Sequence, residues 1–228
     1  LKNALIMIIF SIILAGCTAN AQTNSEVKNE TKETKETRET KTTQSEPKPH
    51  VLYDFYESPQ VTSDAGLEKP GQTYSDRKGE ITLKEFKKID QHFKLDTVDY
   101  YIKEVKVLHY RPDYSMIDFF HAQTHDEEFD FIKVSVEIKN QGDQPVKFVP
   151  VSLLETNTGF QADWEKDIYL EELHGDLNAN GHKKGSLGFI LEEGEAENLK
   201  KITIQTSDVM NENDKILHEA EKIIVDMK

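Results

Sequence analysis

The first apolar block of the chain runs from Ala4 to Ala15 as ALIMIIFSIILA, broken only by Ser11. As a helix rising about 1.5 Å per residue it would span roughly 18 Å, well short of a ~30 Å hydrocarbon core. Its place behind Lys2 predicts the apolar region of a signal peptide over residues 1–16 rather than a spanning helix. From there to residue 50 apolar periodicity is lost and Lys-Glu-Thr triplets take over. Lys32, Lys35 and Arg38 stand three apart, as do Glu33, Glu36 and Glu39, so a helix would set like charges side by side. The pairs Lys32–Glu36 and Lys35–Glu39 carry the cation first, the less favourable order, and the repeated threonine lowers helix propensity further. A solvated, disordered tether is expected over residues 17–50.

Apolar positions return at residue 51 with VLYDFYESP, but Pro59, Gly66, Pro70 and Gly71 break up the next twenty residues. This reads as a lead-in over 51–94, partly ordered over 51–79. Within it, Thr82-Leu-Lys-Glu85 fits a capping box, and Leu83, Phe86, Ile89 and Phe93 recur at helical spacing. The pattern predicts a short amphipathic helix over 82–94. Beyond it the period drops to two. Val105 and Val107 alternate with charges, and Ile132, Val134, Val136 and Ile138 alternate with Lys133, Ser135, Glu137 and Lys139. A turn at 140–145 precedes Val146 and Phe148, and further apolar runs stand at 188–191, 202–206 and 223–227. About seven short strands and one helix predict a mainly β domain over 95–228, an antiparallel two-sheet sandwich large enough to stand on one core. One face of the 132–138 strand is expected to be buried and the other to face solvent.

Charge sharpens the division. Residues 22–50 hold six basic and six acidic side chains, whereas 51–228 hold 21 and 36, so the domain carries −15. Such a domain has no surface for nucleic acid, and its charge disfavours a second contact with anionic lipid. The single cysteine, Cys17, allows no intrachain disulfide.

Leu14-Ala15-Gly16-Cys17 resembles the lipobox of bacterial lipoproteins, with leucine three residues before the cysteine and small residues between. That resemblance implies a diacylglyceryl thioether on Cys17, cleavage between Gly16 and Cys17, and anchoring in the cell membrane by palmitate-type chains on the extracytoplasmic face. Two acyl chains anchor stably where one does not. From Tyr100 onward the chain is similar to immunoglobulin-like domains of unknown function found in Gram-positive lipoproteins. The similarity rests on Phe131–Asn140, Gly142-Asp143, Val146-Lys-Phe148, Asn180-Gly181 and Gly185-Ser-Leu-Gly-Phe-Ile190. It implies the fold and names no ligand. The residues before Tyr100 lie outside it.

Several local patterns invite chemistry. Asp76–Glu85 looks like half of a calcium-binding EF-hand loop, but the register puts Lys78 where an oxygen ligand belongs. His121 and His125 have the spacing of a zinc-binding helix, yet Ala122 stands where a metalloprotease carries its glutamate. Asp163, Glu165, Asp167, Glu171 and Glu172 could converge on calcium or form a solvated acidic face, and Trp164 among them is a packing plug or a binding aromatic. Gly175–Ser186 fails the glycine spacing of a phosphate loop. No catalytic, metal or cofactor residues are nominated. The expectation is a non-enzymatic, acidic interaction module for an envelope or host protein, with a small-ligand or cation-binding lipoprotein as the alternative.

Overall fold

A computed structural model describes residues 57–227. The signal peptide, Gly16, Cys17, the tether and the first residues of the lead-in lie outside the described residues. The fold is mainly β, with one short internal helix, α1 (Ile117–Phe120). In chain order the strands are β1 (Thr73–Asp76), β2 (Gly79–Leu95), β3 (Val98–Pro112), β4 (Phe129–Asn140), β5 (Val146–Phe148), β6 (Leu153–Thr156) and β7 (Gln161–Asp163). Then come β8 (Gly175–Leu177), β9 (His182–Ile190), β10 (Lys201–Gln205), β11 (Val209–Asn211), β12 (Ile216–His218) and β13 (Lys222–Asp226).

They form a five-stranded antiparallel sheet, β1-β2-β3-β4-β9, and two four-stranded ones, β13-β10-β6-β7 and β12-β11-β5-β8. The larger sheet turns Val98, Tyr100, Ile102, Val105, Val107, Ile132, Val134, Val136 and Ile138 inward, where they meet Val146, Phe148, Leu154, Ile202, Ile204 and Val209 from the smaller sheets. The six alternating or apolar runs named from the sequence lie in strands β3, β4, β5, β9, β10 and β13, with register as the alternation requires: Val105 opposite Val134, Val107 opposite Ile132.

Residues 82–94 are a correction: they are strand, not helix, because they belong to β2 and pair with β3 along its length. The cause is two bulges, between Leu83 and Glu85 and between Lys88 and Gln91, with Asp90 at a positive φ of 46°. Each bulge inserts residues that break the two-residue period. Apolar side chains then recur at three and four, as on a helix. The boundary at 95 moves as well, since β2 is integral to the sheet and the domain includes it. The EF-hand-like stretch becomes the β1–β2 hairpin. Gly79, at φ 151°, is required there: a Cβ would sit 2.3 Å from the Arg111 carbonyl.

The outer face of the large sheet departs from expectation too. Lys133 and Ser135 are buried, and Glu137 and Lys139 half-buried. The segment 57–67, termed the strap, and the stretch 167–171 lie over that face. Val61, Leu67, Ile168, Tyr169 and Phe120 close a second apolar cluster on Ile81, Leu83, Leu108, Tyr110, Phe129 and Phe131.

Candidate functional site

Halfway along β3 and β4 the outer face changes from apolar to ionic. Register places Lys106 opposite Lys133, Glu104 opposite Ser135, and Ser135 opposite Ser186 of β9. Two lysines directly across a ladder repel each other, the more so under cover. The strap supplies the remedy. Asp64 Oδ2 accepts from Lys106 Nζ at 2.8 Å, Oδ1 accepts from Lys133 Nζ at 2.5 Å, and the Asp64 carbonyl accepts from Lys106 at 3.2 Å. Glu104 Oε1 lies 3.3 Å from the Lys106 ammonium. The four side chains are nearly enclosed, at 6% exposure for Asp64, 4% for Lys106, 11% for Lys133 and 7% for Glu104.

The strap is fixed along its length. Lys78 Nζ donates to the Ser58 carbonyl at 2.9 Å, Thr62 Oγ1 donates to Asp76 Oδ1 at 2.9 Å, and Tyr110 OH shares its one proton between the Lys78 carbonyl at 2.7 Å and the Gln60 carbonyl at 3.1 Å. Between strap and sheet lies a cavity of about 350 Å³ whose lining includes Asp64, Glu104, Lys106, Lys133, Ser135, Ser186 and Tyr169, with Tyr74 at its more exposed edge. Ser135 Oγ and Ser186 Oγ are 3.3 Å apart, and the Lys133 ammonium stands 5.7 Å from the centre of the Tyr169 ring. Gly188 makes room for that ring, because a Cβ there would lie 2.8 Å from it.

Burial by itself would push the Asp64 carboxyl up, but the ammonium groups of Lys133 and Lys106 outweigh it and hold the carboxyl well below the usual range. Burial likewise works against the Lys106 ammonium, and Asp64 and Glu104 reverse it, raising that lysine. Burial keeps the Tyr169 phenol far above its ordinary value. The Asp64–Lys106 pair is therefore held in its charged form, and the set as a whole pairs two acidic with two basic side chains. It offers hydrogen-bond donors and acceptors, and none of the described residues lining the cavity is a histidine or cysteine.

The acids at 163–172 are not gathered on a common point. Asp163 caps a 3₁₀ turn by accepting from Glu165 N. Asp167 accepts from the backbone N–H groups of Tyr169, Leu170 and Gly188, and Glu171 from that of Ser186, so both carboxylates finish the free edge of β9 as a neighbouring strand would. Burial raises Asp167 to about 6 and Glu171 to about 7. Trp164 packs on His174 with ring centres 4.4 Å apart. His121 caps α1 while His125 lies in the loop beyond, so no helix carries the pair. Among the described residues no cluster of three potential metal ligands occurs, and no helix is long and apolar enough to cross a membrane.

Sequence reasoning missed Asp64, Lys106 and Lys133. Asp64 stands in a stretch read as lead-in, and a polar strand face gives no signal of what covers it. The unusual juxtaposition of Lys106 and Lys133 becomes visible only once strand register is known.

A family model described as a domain of unknown function, DUF4352, matches residues 87–216. The match takes in Glu104, Lys106, Lys133, Ser135, Tyr169 and Ser186 but leaves out the strap and Asp64. The chain is 42% identical over 236 residues to the "Uncharacterized protein YdhF" of Bacillus subtilis (strain 168), covering 98% of each. A solved conserved hypothetical protein from Bacillus anthracis overlaps 61% of this chain and 97% of its own, at 16% identity and a TM-score of 0.37. A functionally unknown protein from Listeria monocytogenes EGD-e overlaps 72% of this chain and 95% of its own, at 14% identity and a TM-score of 0.40.

Proposed function

The chain belongs to the DUF4352 family, a domain of unknown function, and from that premise we propose that it is a lipid-anchored, extracytoplasmic, non-enzymatic recognition protein. Cys17 carries the lipid after cleavage behind Gly16, the tether lifts the domain from the membrane, and the β-domain binds through the cavity under the strap. The domain is an immunoglobulin-like sandwich in this reading, supported by the apolar core between the large sheet and the smaller ones.

One observation carries the recognition reading: a buried ionic set of two lysines and two acids is spent on holding a strap over a cavity rather than on packing. An apolar cover of the same shape would be at least as stable. The cavity size lies at the lower end of the roughly 300–1,000 Å³ usual for small-ligand pockets. A second reading, an envelope or host protein as partner, is favoured by a separate groove in which Asp126, Glu127, Glu128, Glu192, Glu193 and Glu197 outnumber the basic Lys84 and Arg111.

Anchoring is tested by fractionation and mass spectrometry of the chain in a Gram-positive host. Wild type should sit in the membrane fraction with an acylated Cys17, and Cys17→Ser should remain unprocessed or be shed. An unmodified Cys17 in wild type would refute it.

A further inference from the structure

The polar atoms that the protein leaves unsatisfied around the cavity say what it takes. We propose that the strap-covered cavity binds a neutral, polyhydroxylated ligand of monosaccharide size, with its hydroxyls on Glu104, Tyr169, Ser135 and Ser186. The proposal rests on the reading that this cavity is the recognition site, and adds the chemical class of its occupant.

Two atoms lead to it. Glu104 Oε2 and Tyr169 OH are buried and have no hydrogen-bond partner among the described residues, on side chains that are themselves almost wholly buried. Native structures rarely leave such groups unpaired, and a carboxylate oxygen least of all. Glu104 Oε2 calls for a donor, whereas Tyr169 OH can donate or accept. Both residues line the cavity, as do Ser135 and Ser186, whose hydroxyls meet each other at a long 3.3 Å. Lys133 spends one donor on Asp64 and, as an ammonium, has two more. A hydroxyl gives one proton and accepts up to two, so vicinal hydroxyls satisfy this mixed set, which a purely donating or accepting ligand does not.

Charge points the same way. Asp64 and Glu104 balance Lys106 and Lys133, so a neutral ligand enters without breaking a pair, and an ion would add an uncompensated charge to a desolvated site. The mouth adds shape. Tyr74 lines it with 46% of its surface exposed, an aromatic face suited to the C–H face of a sugar ring.

The test is a titration of the uniformly ¹⁵N-labelled mature chain with N-acetylglucosamine, glucose, L-alanine and sodium phosphate, each alone. At least one sugar should bind saturably, with amide shifts concentrated at residues 104–106, 133–135, 169 and 186. Glu104→Gln should weaken that sugar by about tenfold, the value of one hydrogen bond to a charged group. Tyr169→Phe should weaken it about three- to tenfold without lowering the unfolding temperature, because the hydroxyl it removes bonds to no described residue. Saturable binding of alanine or phosphate at these residues, with neither sugar binding, overturns the ligand class and leaves the recognition reading standing. No shift at these residues from any probe, or equal sugar affinity in both variants and wild type, overturns the proposal.

Discussion

Removing the Asp64 carboxylate should be among the most destabilising single changes in the domain. Asp64→Ala deletes the 2.5 Å bond to Lys133 and the 2.8 Å bond to Lys106. Lys106 keeps Glu104 at 3.3 Å and can keep the backbone carbonyl of residue 64, but Lys133 loses the carboxylate that its ammonium is bonded to. Two ammonium groups are then left across one ladder under a strap that no longer compensates them. Breaking a buried pair in this way costs about 3–5 kcal/mol. For a domain of this size each kcal/mol moves the midpoint about 2–4 °C, so a fall of roughly 6–20 °C is expected. The double variant Asp64→Ala/Lys133→Met should recover part of it, since the stranded charge goes as well. The carboxyl is depressed below its ordinary 3.8, so its contribution is present above about pH 4 and lost as the pH falls through the folded-state value. Wild type and variant should therefore differ by a constant amount from pH 5 to 8 and converge in acid. Thermal and urea unfolding of the mature chain followed by circular dichroism measure all of this. An Asp64→Ala midpoint within about 1 kcal/mol of wild type, or a double variant that loses the sum of the singles, would refute the ionic lock.

Other consequences are as direct. Val136 is wholly buried, so Val136→Asp should unfold the domain or nearly so; Glu137→Ala, on the half-buried side and losing ion pairs to Lys139, Lys103 and His182, should cost about 1 kcal/mol in urea unfolding. Equal losses would mean the strand is not inward-facing on the valine side. Asp167 should titrate near 6 by carboxyl ¹³C NMR. Because that folded-state value lies above the unfolded one, its contribution is present in acid and lost as pH rises. The stability of wild type relative to Asp167→Asn should thus decline by roughly 1–3 kcal/mol between pH 4 and 7; a rise would contradict the burial argument. Limited proteolysis should cut within residues 22–50 and leave a resistant fragment starting between 51 and 57, because the strap is packed; a fragment starting past 67 would show it is not.

Strand existence was legible because burial on one face imposes alternation, and Ile132, Val134, Val136 and Ile138 obey it without exception. The same logic misled over Leu83, Phe86, Ile89 and Phe93, where two bulges turned a strand's spacing into a helix's. Length could have warned, since the continuous pairing of β2 with β3 spans far more than a short strand, but pairing is a tertiary fact. The outer face was illegible for a different reason. Lys133 and Ser135 look like solvent-facing residues, and only Asp64, 69 residues away in sequence from Lys133, converts them into the floor of a site. Local patterns carry no information about such a partner. The acids at 163–172 were visible as a cluster, yet their roles as backbone acceptors on the edge of β9 depend on where that edge lies.

Recognition through the strap-covered cavity is tested most directly by adding a soluble envelope extract of a Gram-positive host to the ¹⁵N-labelled mature chain and mapping the amides that shift. If the cavity is the binding site, changes should cluster at residues 57–68, 104–106, 133–135, 169 and 186, and be lost in Asp64→Ala. Shifts confined to the groove at 126–128 and 192–197, with the strap and its floor unmoved, would contradict it.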